Sequence, residues 1–152
     1  MLRQDKQFRS RKDAIANAGF DGGVIYHKRG SHKISFSGAK TSLYIVNNDE
    51  VVVTKSDRVN VGFFRTKMEH KFSEETIELL PNTKVYIATD GFPDQFDERL
   101  GENYGKKHFQ DLIIRIKDLD FPVQRREIKK ELEKIIGSKE QIDDITVMGM
   151  QF

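Results

Sequence analysis

Two acidic sites, each set against an apolar strand, are the residues in this sequence best placed to carry chemistry. The first closes the segment Lys84-Val85-Tyr86-Ile87-Ala88-Thr89-Asp90-Gly91, where a β-favouring run ends in a carboxylate followed at once by glycine. A strand end holds a ligand rigidly, and Gly91 lets the backbone turn away so that water or substrate can approach. Asp94 and Asp97 follow in what reads as one loop. The second site is Asp143-Asp144, directly before Ile145-Thr146-Val147-Met148. Carboxylates so placed suit hard divalent cations, Mg2+ or Mn2+, which keep several waters and take one or two carboxylates each. Either site alone also fits an ordinary polar turn, since Asp-Gly is a common turn dipeptide. Their joint placement beside strands is what points to a metal.

Other chemistries find little support. His27 and His32 flank a turn and could face each other as a metal pair, but with no third ligand in view they read as surface residues. His70 and His108 stand alone. No serine sits in a G-x-S-x-G elbow, and neither phosphate-binding glycine signature is present. The chain has no cysteine, which removes disulfides, zinc–thiolate sites, iron–sulfur clusters and cysteine nucleophiles together.

The elements that must position these acids follow from the hydrophobic pattern. The first twenty residues are polar and mildly helical, with Ala14, Ile15 and Ala18 on one face. After Gly22-Gly23 the pattern turns to strands: Val24–Tyr26, then Ile34 and Phe36 alternating with Ser35 and Ser37. Leu43–Val46 and Val51–Val53 flank Asn47-Asn48-Asp49 as a hairpin. Further strands are expected around Met68–Phe72, Thr76–Leu79 and Val85–Ala88. Phe109, Leu112, Ile113 and Ile116 then form one helical stripe. Asp120 and Pro122 open a second helix lined by Ile128, Leu132, Ile135 and Ile136, and Gly137 is placed to end it. Ile145–Met148 is the closing strand. Many antiparallel strands, two helices and a last strand make a layered α+β domain.

With 152 residues the chain has the length of a single domain, and the apolar fraction of 37% supplies a core. No apolar run approaches the roughly 20 residues of a membrane span, and no h-region follows the basic start, so a cytoplasmic protein is expected. The 26 Lys and Arg against 24 Asp and Glu leave a net charge of +2, far from the one-sided field of a nucleic-acid binder. The basic first twelve residues carry a single aromatic, Phe8, too few for a stacking platform, and read as a solvated face.

At this level the sequence resembles a known family. Tyr86-Ile87-Ala88-Thr89-Asp90-Gly91-Phe92-Pro93-Asp94-Gln95-Phe96 and Gln141-Ile142-Asp143-Asp144-Ile145-Thr146-Val147 resemble the PPM-type metal-dependent serine/threonine phosphatases, in their SpoIIE-like branch. Phe36–Tyr44, Val61-Gly62-Phe63 and the strand containing Ile77 and Leu79 support the match, which runs from Asp21 to Phe152. The resemblance implies an α/β/β/α sandwich of two antiparallel sheets flanked by helices, with a two-metal site at one edge. It implies Asp90 and Asp143 as metal ligands and catalytic residues, with Asp144 orienting them and Gly91 and Asp94 in support. The implied chemistry is hydrolysis of phosphoserine or phosphothreonine by a water activated on Mn2+ or Mg2+. Implied partners are phosphorylated regulators of the anti-sigma-factor-antagonist type, with an upstream sensor or receiver domain.

One part of the family pattern is not found. The family opens with a strand ending in Asp-Gly, whose carboxylate bridges both metals. Asp21-Gly22 instead precedes its strand and resembles a later junction. The expectation is therefore an N-terminally truncated domain over 1–152, with 1–20 a helical, basic lead-in and 21–152 the family core. A missing strand would expose a sheet edge through which copies could pair as a homo-oligomer. Three readings stay open: a phosphatase domain, a catalytically inactive pseudophosphatase or interaction module that keeps the fold, and a generic α+β domain with acidic turns.

Overall fold

Alternation along Leu43–Asn47 decides how the layers stack. Leu43 and Ile45 face one way into a cluster with Ile34, Phe36, Leu79 and Val85, while Tyr44 and Val46 face the other way towards helices. One strand with two buried faces belongs in the middle of a sandwich. The computed structural model describes residues 19–62, 67 and 69–152. The expected helical face at Ala14, Ile15 and Ala18, and Phe63 of the family match, lie outside the described residues.

Two antiparallel sheets form the body. β1 (Gly22–His27), β2 (Lys33–Ala39) and β5 (Glu75–Glu78) make the first, in the order β1-β2-β5. β3 (Leu43–Asn47), β4 (Glu50–Thr54), β6 (Lys84–Ala88) and β9 (Val147–Gln151) make the second, in the order β4-β3-β6-β9. A helical turn, α1 (Gly91–Asp94), leads into the small hairpin β7 (Phe96–Asp97) and β8 (Glu102–Asn103). α2 (Gly105–Ile116) and α3 (Phe121–Ile136) then cover the outer face of the four-stranded sheet.

The inter-sheet core holds Ile34, Phe36, Leu43 and Val85, all essentially inaccessible. The second core joins Tyr44 and Tyr86 to Phe92, Phe109, Leu112, Ile113 and Ile135. The expected helical stripe Phe109, Leu112, Ile113 and Ile116 is buried as a unit. Gly137 ends α3 at φ 54°, a backbone region that suits glycine. The fold is thus the sandwich of antiparallel sheets flanked by helices that the family resemblance implies; among the described residues the helices lie over the four-stranded sheet.

The closing strand runs over Val147–Gln151 rather than the expected Ile145–Met148, and three further local expectations need correction. Residues 69–72 form no strand; His70 and Phe72 there make an edge-on ring contact, 4.8 Å between centroids. His70 and His108 do not stand alone either: His70 Nε2 lies 3.2 Å from Asp57 Oδ2, and His108 Nδ1 lies 2.6 Å from the Tyr104 carbonyl oxygen. Asp97 does not join Asp94 in an open loop. It is 0% exposed in β7, where Arg99 donates to its Oδ1 from both the backbone N–H and Nε at 2.9 Å.

Arg99 also reaches Glu131 of α3 at 3.3 Å, and Arg115 of α2 donates to the same carboxylate at 3.1 Å. The hairpin is thereby tied to both helices through a partly buried charge network. Hydrogen bonds from Arg99 hold the Asp97 carboxyl below the usual range, against the opposing effect of burial. Replacing Arg99 by alanine leaves that carboxylate buried with backbone donors only. We expect Arg99→Ala to cost about 2 kcal/mol at neutral pH, as read by urea unfolding, since half of the arginine faces solvent and screens the pair. Because the folded-state pKa of Asp97 is lowered, its contribution is present above the ordinary carboxylate pKa and lost as pH falls through the folded value. The gap between wild type and variant should therefore narrow below about pH 4.

Candidate metal centre

The end of β6 and the approach to β9 are clasped together by one threonine. Thr89 N–H donates to the carbonyl of Thr146 at 3.0 Å, and Thr89 Oγ1 donates to the carbonyl of Asp144 at 3.0 Å. The same hydroxyl accepts the N–H of Thr146 at 2.9 Å. Ladder pairing of Ala88 with Val147 continues the join into the sheet. Asp90 and Asp143-Asp144, 53 positions apart from Asp90 to Asp143 in the chain, therefore leave the sheet at one corner.

Gly91 sets how close the two segments come. A Cβ on it would lie 2.5 Å from the carbonyl oxygen of Asp144, so only glycine lets the acidic loop pack against the strand end. Gln95, 0% exposed, fixes the loop from beneath: its Nε2 donates to the carbonyl of Glu140 at 3.2 Å and its Oε1 accepts the N–H of Ile142 at 3.2 Å. Gln141 Nε2 donates to the carbonyl of Asp143 at 2.7 Å, and the N–H of Asp144 donates to Asp143 Oδ1 at 2.7 Å. The Asp143 carboxylate is thus oriented by its neighbour's backbone, with its second oxygen outside that bond.

Asp90, Asp94, Asp143 and Asp144 are all exposed. Asp94 opens no separate site: its N–H donates to the Asp90 carbonyl at 2.8 Å within α1. Its charge adds to burial in raising the pKa of the Tyr44 phenol below. The two histidines at the β1–β2 turn do not face each other as ligands, for His27 Nε2 lies 2.9 Å from the Ser31 carbonyl oxygen.

These donors can be tested against a metal. Exposed carboxylate oxygens, held at a corner that a Cβ would block, fit one hard divalent ion that keeps most of its water. They do not make up a two-ion donor set, because among the described residues no three acidic or histidine side chains converge. Sequence reasoning passed over Gln95 and Thr89 as working parts. Their signal was available only as polar residues flanking an Asp-Gly, which has many causes. Removing the Gln95 side chain should free the Ile142 amide: Gln95→Ala is expected to speed its hydrogen exchange about ten-fold or more, with smaller changes in β6.

The sandwich of two antiparallel sheets with helices outside is the fold of PP2C-type phosphatase domains, a class of metal-dependent serine/threonine phosphatases. The chain belongs to the stage II sporulation protein E (SpoIIE) family, whose family model matches residues 11–152. Among solved structures it is similar to the SiaA-PP2C domain of Pseudomonas aeruginosa, with 29% identity and a TM-score of 0.78 over 87% of this chain and 51% of that one. The phosphatase domain of SpoIIE from Bacillus subtilis, presoaked with Mn, matches at 14% identity and TM-score 0.62, covering 94% of this chain and 60% of that one. The RsbU and RsbW domains of Rv1364c from Mycobacterium tuberculosis match at 19% and 0.63, covering 85% and 35%. The two latter likenesses show the fold alone. No curated protein matches the chain. The chain spans about half the length of the SiaA structure. No helix among the described residues is long and apolar enough to cross a membrane.

Proposed function

We propose that this chain is a metal-dependent phosphoserine/phosphothreonine phosphatase domain acting on a small phosphorylated regulator in a bacterial cytoplasmic signalling pathway. Asp90 and Asp143 would hold the ion, Mn2+ or Mg2+. The observation that carries this reading is the clasp at Thr89 and Gly91, which brings both acids to one exposed corner. When bound, the ion supplies positive charge for phosphoryl oxygens and lowers the pKa of a water. The chain's own residues bind and orient: Asp90 follows β6 by two residues at the start of α1, the Asp144 N–H aims Asp143, and Gln95 holds the loop in place.

A pseudophosphatase or interaction module is the second reading. It is favoured by the lack of a third converging donor among the described residues. Among the described residues β1 and β9 are edge strands, and they would then serve pairing with a partner chain or a second copy. Phosphate release from a phosphoserine peptide separates the two readings. The phosphatase releases phosphate only with Mn2+ or Mg2+ present. No release, together with no thermal shift at millimolar Mn2+, would sink the catalytic reading and leave the binding module.

A further inference from the structure

The least comfortable backbone at the acidic end of the sandwich belongs to a lysine. Among the described residues three non-glycines have positive φ: Asn48 and Asn82, both in turns, and Lys40 at φ 51°. Asparagine is a common occupant of this region, whereas a long side chain there carries strain that glycine would relieve. The backbone of Lys40 is nevertheless pinned. Its N–H donates to the Asp57 carbonyl at 2.8 Å, and it bridges in parallel to Gly22.

The sheet registers place this lysine at the acidic end. Leu43 at the start of β3 lies opposite Ile87 near the end of β6, and Ala88 lies opposite Val147 at the start of β9. The chain just before Leu43, just after Ala88 and just before Val147 therefore emerges at one end of the four-stranded sheet. That end carries Lys40, Asp90 and Asp143-Asp144 together. β1 starts there too, since Gly22 lies opposite Ala39. Asp21 is the lysine's partner, with Nζ to Oδ2 at 3.4 Å, and both side chains are accessible. A long, single, accessible contact of this kind contributes little to stability. It holds the ammonium ready rather than consuming it.

We propose that Lys40 is a substrate-binding residue that grips the phosphoryl group when a phosphoprotein docks on the acidic end. An end lined only by carboxylates would repel a phosphate dianion, and a fixed cation beside them supplies the complement. A lysine held at a backbone that favours glycine points to a use for its side chain. This inference rests on the phosphatase reading and adds a residue to it.

The test is a calorimetric titration, with Mn2+, of a peptide carrying a phosphonate in place of phosphoserine, run beside phosphate release from the phosphoserine peptide. Lys40→Gly should bind about ten-fold or more weakly while melting at the same or a higher temperature, because it removes charge and strain together. Lys40→Met, which keeps the stem without the charge, should lose binding equally. Asp21→Asn should bind as tightly as wild type or more tightly. Unchanged binding in Lys40→Met, or weakened binding in Asp21→Asn matching that of the lysine variants, would overturn the role of Lys40. If wild type still releases phosphate in that case, the phosphatase reading stands. A wild type that neither binds the phosphonate nor releases phosphate contradicts both.

Discussion

Asp90→Asn should abolish metal-dependent phosphate release, by at least about two to three orders of magnitude, while leaving the melting temperature in metal-free buffer nearly unchanged. The size follows from what the carboxylate does. It stands two residues beyond β6, at the start of α1, and on the proposed reading exchange of its anionic oxygen for an amide would remove charge that holds a hard cation. The structural neutrality follows from exposure: the Asp90 side chain makes no capping hydrogen bond to α1, so asparagine disturbs no buried partner. A variant with full turnover would show that the ion sits elsewhere. A variant that unfolds would show that Asp90 is structural.

Gly91→Ala should act on the same corner without touching a ligand. The added methyl carbon would meet the Asp144 carbonyl oxygen at 2.5 Å and its carbon at 3.2 Å. Both atoms are backbone, so the loop must move. Gly91 is the first residue of a helical turn and does not have positive φ, so alanine is conformationally acceptable there. Any loss therefore reports the close approach alone. We expect about 1–3 kcal/mol of destabilisation by urea unfolding. Loss of the Thr89 clasp should also reduce metal-dependent release by a factor of ten or more, on the order expected for ligands displaced by about an ångström. Unchanged stability and turnover would mean that the two acidic segments need not touch.

Much of this architecture is legible in the sequence. The hairpin Leu43–Val46 and Val51–Val53, the strand before Asp90 and both long helices stand where periodicity puts them. Long amphipathic patterns and Asn-rich turns are strong local signals. The closing strand was misplaced, expected at Ile145–Met148 and found at Val147–Gln151. Thr146 spends its N–H and carbonyl on Thr89 rather than on a ladder, which no β propensity reveals. The strand also runs on through Gly149, where a Cβ would lie 2.9 Å from the Phe121 ring, so glycine there serves helix packing rather than a turn.

At the site, the types and chain positions of Asp90, Gly91 and Asp143-Asp144 were readable because each abuts an apolar run. Three things were not. α1 and the β7–β8 hairpin are too short for periodicity to show. Asp97 looked like Asp94 in sequence, yet one is wholly buried on Arg99 and the other exposed; burial is decided by the charge network with Glu131 on a distant helix. The polar clasp of Thr89 and Gln95 depends on partners about fifty residues away.

The central claim is that the end of β6 and the loop before β9 together hold a divalent cation. Paramagnetic broadening by substoichiometric Mn2+ in the amide spectrum tests it most directly, because Mn2+ bleaches signals around the place it occupies. Selective loss of the amides of Asp90–Asp94 and Gln141–Thr146, abolished in Asp90→Asn, is the result this account predicts. Broadening centred on another acidic stretch, or the same pattern persisting in Asp90→Asn, would contradict it.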